Sequence, residues 1–151
     1  MRQIRTQRDI PASTESIWAV LADFRRYAEW NTLNIWADGQ ALLGERVPMR
    51  FVDSGGGKGQ VIAQTVIITG LQEGRYLEWT GHIPLLFTGR HFFELTPLAH
   101  GTRLVHGEDM SGLIPATFSN KRIGRQRAAY EQLNRALEDR VRALSGSAIS
   151  R

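Results

Sequence analysis

The stretch Ile10-Pro11-Ala12-Ser13-Thr14-Glu15-Ser16-Ile17-Trp18-Ala19-Val20-Leu21-Ala22-Asp23-Phe24 decides how this chain is organised. Pro11 has no amide hydrogen to give to a sheet, so a preceding strand stops there. Ser13 can cap a helix, and Glu15 places a negative charge in the first turn. Ile17, Val20, Leu21 and Phe24 then recur at helical spacing. These signals predict a strand over residues 2–10, a helix over 15–22 and a second short helix over 25–29. On the strand, Ile4, Thr6, Arg8 and Ile10 share one face.

Working outward, the rest of the chain changes period twice. Residues 35–39 read as a short strand ending in a turn. Arg46–Val52 alternates, with Val47, Met49 and Phe51 on one side and Arg46, Pro48 and Arg50 on the other. Strands are further predicted over 60–69, 75–83, 88–96 and 102–110. The gaps between them are short, which predicts an antiparallel meander. From Phe118 the period becomes helical, with Phe118, Ile123, Tyr130, Leu133, Leu137, Val141 and Leu144 on one stripe. A helix of about 27 residues spans roughly 40 Å at 1.5 Å per residue, long enough to cross such a sheet. A sheet held against one long helix tends to enclose a hollow.

Composition narrows the function classes. The chain has 151 residues, 42% hydrophobic and 23% charged, as in an ordinary globular domain. One domain is expected over residues 1–145, followed by a flexible tail over 146–151. No run of residues suits a membrane span, and Met1 to Arg5 lack the apolar segment of a secretion signal. A cytoplasmic protein is the expectation. The absence of cysteine excludes disulfides, a thiolate nucleophile and a cysteine metal site.

The net charge of +4 falls on the closing helix. Lys121, Arg122, Arg125, Arg127, Arg135, Arg140 and Arg142 stand there against Glu131, Glu138 and Asp139. Such a face can attract phosphates, yet no aromatic residues interleave with it to stack on bases. A solvated helix face is the expectation, with no nucleic-acid partner. The loop Asp53-Ser54-Gly55-Gly56-Gly57-Lys58-Gly59 resembles a phosphate loop only superficially, because a strand rather than a helix follows it. It reads as a flexible hairpin loop.

Ionisable residues with the parity of the interior occur on the last two strands. If Pro97 faces Thr102 across the hairpin, Leu95 faces Leu104, Phe93 faces His106, and His91 faces Glu108. Opposed side chains begin about 4.5–5.5 Å apart, so imidazole and carboxylate can interact. A one-residue slip would separate them onto opposite faces. Three readings stay open. The pair can fix register as a satisfied polar contact. It can orient a ligand or act as a general acid and base. His91, His106 and Glu108 also have the composition of a metal triad, although hairpin geometry does not make the three heads converge. Trp79, with Phe93, Met49 and Phe51 beside it, is the candidate wall of a pocket, and Met110 shares the face of Glu108.

The run from Ile17 to Phe24, then Tyr27-Ala28-Glu29-Trp30-Asn31, resembles the opening signature of the SRPBCC superfamily, which includes START-like, Bet v 1-like and polyketide cyclase/dehydrase proteins. Leu77-Glu78-Trp79, His91-Phe92-Phe93-Glu94-Leu95, Gly101 to Glu108 and Ser111-Gly112-Leu113 follow in the same order. The resemblance implies an α+β helix-grip fold: a curved seven-stranded antiparallel sheet around the C-terminal helix, with a cavity between. It implies no shared catalytic residue and no cofactor. Two functions follow as expectations. One is binding of a small hydrophobic or aromatic molecule by Met49, Phe51, Trp79, His91, Phe93, His106, Glu108 and Met110, in a monomer or homodimer. The other is a polyketide cyclase/dehydratase-like enzyme with a His/Glu acid-base pair drawn from His91, His106 and Glu108.

Overall fold

The computed structural model describes residues 1–149 of the chain. Strands β1 (Arg2–Ile10), β2 (Trp36–Ala37), β3 (Arg46–Val52), β4 (Val61–Gln72), β5 (Tyr76–Ile83), β6 (Phe87–Leu98) and β7 (Gly101–Ser111) make one antiparallel sheet in the order β1-β7-β6-β5-β4-β3-β2. Each strand pairs with its neighbour in the chain, except that β1 pairs with β7. Helix α1 (Thr14–Leu21) and a 3-10 turn (Phe24–Glu29) fill the crossover from β1 to β2. Helix α2 (Leu113–Ala116) follows β7, and α3 (Asn120–Ile149) packs against β1, β7 and α1. This is the helix-grip arrangement.

Local chemistry explains the elements. The Ser13 hydroxyl accepts from the Ser16 amide at 3.2 Å and caps α1. The Tyr27 hydroxyl donates to the Leu21 carbonyl at 2.6 Å, which folds the 3-10 turn back on the end of α1. Phe24 meets Tyr27 and Trp79 edge-on, at 5.3 and 6.0 Å between ring centres, and so ties this corner to β5.

Two elements differ from the sequence reading. The closing helix begins at Asn120 and continues to Ile149, so the backbone of residues 146–149, expected as tail, is helical. Residues 150 and 151 lie outside the described residues. Helix α2 has only four residues, too few for a periodic signal in the sequence. It forms because the Leu113 and Ile114 amides donate to the Leu85 and Leu86 carbonyls at the β5–β6 tip, at 3.2 and 2.9 Å.

The β6–β7 register is the predicted one: Pro97 opposite Thr102, Leu95 opposite Leu104, Phe93 opposite His106, and His91 opposite Glu108. Thr6 and Ile4 of β1 continue the rungs of His106 and Glu108. On the outer face, Arg90 reaches Glu78 at 3.3 Å and Asp109 at 2.5 Å, and Arg5 reaches Asp109 at 2.6 Å. These contacts link four strands, although the half-exposed arginines keep each pair modest in energy. Gly107 lets β1 lie close, since a Cβ there would stand 2.4 Å from the Ile4 carbonyl oxygen. Backbone cannot swing away as a side chain can. Gly107→Ala is therefore expected to cost about 1–3 kcal/mol in urea unfolding. A variant as stable as the parent would show that β1 has slack against β7.

Candidate functional site

Between strands β3–β7 and the first half of α3 lies a cavity of about 240 Å3. Met49, Phe51, Val66, Trp79, Phe87 and Met110 supply most of its apolar wall. Phe118 lines it from just before α3, and Arg122, Gln126 and Tyr130 come from α3, spaced four residues apart and so aligned on one helix face. Ile62, Ile83 and Ile114 also line the cavity yet are 38–44% exposed, which marks its opening. Gly81 on β5 and Gly89 on β6 face each other in the wall. A Cβ at Gly89 would stand 2.5 Å from Glu108 Oε1, so the missing side chain is what gives that carboxylate room.

The glycine-rich loop after β3 is braced rather than loose. Arg122 pairs with Asp53 at 2.7 Å, and Arg125 Nε donates to the Gly55 carbonyl at 2.8 Å. A Cβ at Gly55 would stand 2.8 Å from Arg122 Cγ, so this close approach needs glycine. Further along α3, Arg140 pairs with Glu29 at 3.1 Å. Glu138 takes Arg142 at 3.4 Å and Arg8 at 2.6 Å. Part of the basic helix face is thus spent on intramolecular pairs.

Behind the cavity runs a continuous chain of hydrogen bonds between sheet and helix. The Thr6 hydroxyl donates to the His106 carbonyl at 2.8 Å, and Asn134 Nδ2 donates to Thr6 Oγ1 at 2.9 Å. Asn134 Oδ1 lies 2.8 Å from His106 Nδ1, and His106 Nε2 lies 2.8 Å from His91 Nε2. His91 Nδ1 stands 3.3 Å from the Tyr130 hydroxyl, which in turn contacts Glu108 Oε2. Rings stack along this path: Phe93 on His106 at 4.3 Å, His106 on Tyr130 at 4.5 Å, and His91 on Trp79 at 4.7 Å.

The polarity of the chain follows from its closed end. A carbonyl only accepts, so Thr6 donates to it and must accept from Asn134. Asn134 Oδ1 then accepts, which puts the proton of neutral His106 on Nδ1 and leaves Nε2 as acceptor. His91 gives its proton to that nitrogen, so His91 Nδ1 needs a donor. With Glu108 ionised, the Tyr130 hydroxyl donates to the carboxylate and His91 Nδ1 goes without. With Glu108 protonated, Glu108 donates to Tyr130, and Tyr130 to His91. Every group is then matched.

The titration behaviour agrees with that count. Burial raises Glu108 to about 7, opposed by its hydrogen bond to Tyr130 and aided by Asp109. Burial lowers His106 to about 3, and burial with the neighbouring His106 holds His91 well below the usual histidine range. Burial, with Glu108 beside it, raises Tyr130. Both imidazoles are neutral at pH 7, and Glu108 is the group that titrates there.

Of the residues singled out from sequence, Met49, Phe51, Trp79, His91, Glu108 and Met110 line the cavity. Phe93 and His106 do not; both are fully buried behind it. Their rungs lie nearer the hairpin turn, under the middle of α3, where Tyr130 stacks over the His106 ring. His91 and Glu108 face each other as expected but meet through Tyr130 rather than directly. A metal triad does not fit, because the imidazole nitrogens are turned on each other and Asn134 while Glu108 turns to Tyr130. No group of three His, Cys, Asp or Glu side chains converges on one point among the described residues. Sequence reasoning missed Tyr130 and Asn134 as polar partners. The signal was available: Arg122, Gln126, Tyr130, Asn134 and Glu138 recur every fourth residue on a stripe otherwise suited to apolar packing.

Residues 1–142 match the family model described as polyketide cyclase / dehydrase and lipid transport. The chain belongs to this family. Solved structures with the same fold include a START superfamily protein from Mycobacterium smegmatis, at TM-score 0.75 and 19% identity over 94% of this chain and 98% of that one. A protein from Mesorhizobium loti matches at TM-score 0.69 and 22% identity over 91% and 95%. DynU16, a protein in the dynemicin biosynthetic locus, matches at TM-score 0.69 and 15% identity over 91% of this chain and 46% of its own. At these identities the likeness speaks for fold. No curated protein matches the chain. No helix among the described residues is long and apolar enough to cross a membrane.

This member of the polyketide cyclase / dehydrase and lipid transport family carries a measurable consequence of its buried acid. Glu108 is raised from 4.5 to about 7 on folding, so its contribution is full below 4.5 and is lost as pH rises through 7. The histidines act oppositely, weakening the fold below about 6.5, but they are shared by parent and variant. Glu108→Gln should therefore gain on the parent by roughly 3 kcal/mol in chemical denaturation between pH 5 and pH 8.5. A constant difference between the two would mean that Glu108 ionises normally.

Proposed function

We propose that the protein binds a small hydrophobic or aromatic molecule in the cavity between the sheet and α3. The observation that carries this reading is a mostly apolar wall that carries a few polar side chains, among them Glu108, which Tyr130 holds in place. Pockets for small molecules combine these features: apolar area for affinity and a few fixed polar atoms for orientation. Family membership supports the reading, since the family is described by polyketide and lipid chemistry.

A second reading is supported by a specific feature, the raised carboxyl of Glu108. A group near 7 in a cavity can give or take a proton at neutral pH. The acid-base pair expected from sequence then becomes Glu108 with Tyr130, and the two neutral histidines position Tyr130.

Val66 is buried on β4 and faces the cavity, so Val66→Trp should fill it. The parent, purified from its host, should release a small apolar or aromatic compound on organic extraction, seen by native mass spectrometry. The filled variant should retain none while unfolding within a few degrees of the parent. Equal retention by both proteins would move the ligand elsewhere. For the enzymatic reading, Glu108→Gln should lose turnover of a bound compound without losing its binding.

A further inference from the structure

The size of the cavity and the free carboxyl oxygen of Glu108 in its wall narrow the ligand further, and this step rests on the binding reading above. An apolar cavity of about 150 Å3 accommodates benzene. By that scale, about 240 Å3 holds roughly ten non-hydrogen atoms, the size of two fused rings. A tetracyclic steroid or a long acyl chain exceeds it. The wall suits flat rings, since Trp79 is already stacked on His91 at 8° between planes and Phe87 also lines it.

The polar end has a definite sense. Glu108 Oε2 is taken by Tyr130, whereas Oε1 lies over Gly89 with no hydrogen-bond donor reaching it among the described residues. In the fully matched chain, the Glu108 proton is on Oε2 and directed to Tyr130. With Glu108 ionised, Tyr130 donates to Oε2. In both states Oε1 is an acceptor. A ligand atom placed against it must be a donor; a ketone, ether or ester oxygen there would leave two acceptors facing each other. Gly89 removes the side chain that would crowd Oε1, so a ligand can approach it.

We propose that the cavity selects a one- or two-ring aromatic compound bearing a hydroxyl or N–H, with that donor received by Glu108 Oε1. The rings lie on the apolar wall by Trp79, and the hydroxyl points to the strands β6 and β7. Tyr130, positioned by the neutral imidazoles behind it, holds Glu108 Oε2 and leaves Oε1 for the ligand.

Isothermal titration calorimetry with three probes tests this. 2-Naphthol carries the donor, 2-methoxynaphthalene has the same rings without it, and testosterone carries a hydroxyl on four rings. The parent should bind 2-naphthol about tenfold or more tighter than 2-methoxynaphthalene, as expected for a hydrogen bond to an acidic group. Testosterone should not bind measurably. Glu108→Met should lose the preference between the two naphthalenes, because Tyr130 can then donate to His91 and the chain stays matched. Glu108→Gln keeps an acceptor and should keep a reduced preference. Equal binding of both naphthalenes by the parent overturns this inference and leaves the small-molecule reading standing. So does a preference that survives Glu108→Met, or testosterone binding as tightly as 2-naphthol. No binding of any probe likewise overturns this inference, and the extraction of parent and Val66→Trp decides the small-molecule reading separately.

Discussion

The pairing of β6 with β7 is the constraint on which the interior depends. With His91 opposite Glu108, three polar side chains from two strands stand on the side covered by α3. A shift of one residue would turn them to solvent and turn Arg90, Glu94 and Asp109 inward. The outer-face arginines resist that shift, because Arg90 and Arg5 are satisfied by Asp109 only in the observed register. On the other side of β7, Gly107 seats β1 and brings Thr6 to the His106 rung. The site is thus a product of strand alignment before it is a product of side-chain chemistry.

Placing this much polarity under a helix is costly unless each group finds a partner. The molecule meets the cost with a single file of hydrogen bonds that starts at a backbone carbonyl and ends at a carboxyl. Its middle members, His106 and Asn134, are fully enclosed, so their order is fixed by matching donors to acceptors. Three members, His91, Tyr130 and Glu108, line the cavity, and of these Glu108 is the one whose proton comes and goes near neutral pH. Packing and chemistry meet in that residue. The aromatic stack of Phe93, His106 and Tyr130 keeps the file straight.

Much of the fold was legible from the chain. Pro11 and Ser13 mark the end of β1 and the start of α1, and the alternation of Val47, Met49 and Phe51 marks β3, because these signals act within a few residues. The hairpin register was legible as well, since Pro97 and Thr102 leave few ways to join two strands. The site was legible by half. His91 and Glu108 could be paired from strand parity, but Tyr130 and Asn134 come from a helix about forty residues on from His91, and no local rule brings them to that rung. Tyr130 also reads as an ordinary core aromatic until its hydroxyl is seen to join Glu108 to His91. Phe93 and His106 share a strand face with cavity residues, and parity alone cannot say where along the strand a helix covers them.

The opposed glycines of β5 and β6 leave the cavity two separate points of adjustment. Neither Gly81 nor Gly89 has a backbone angle that only glycine adopts, so a methyl is possible at each as far as the chain is concerned. At Gly81 it would press on the side chain of Gln64, and at Gly89 on Glu108 and the ring of Phe87. One substitution trims the volume, and the other redirects the acid. Two adjacent positions can therefore retune size and polarity separately while the hairpin beneath them is inherited intact. The volume of the cavity and the placement of its acid are thus set at two positions where the backbone itself does not demand glycine.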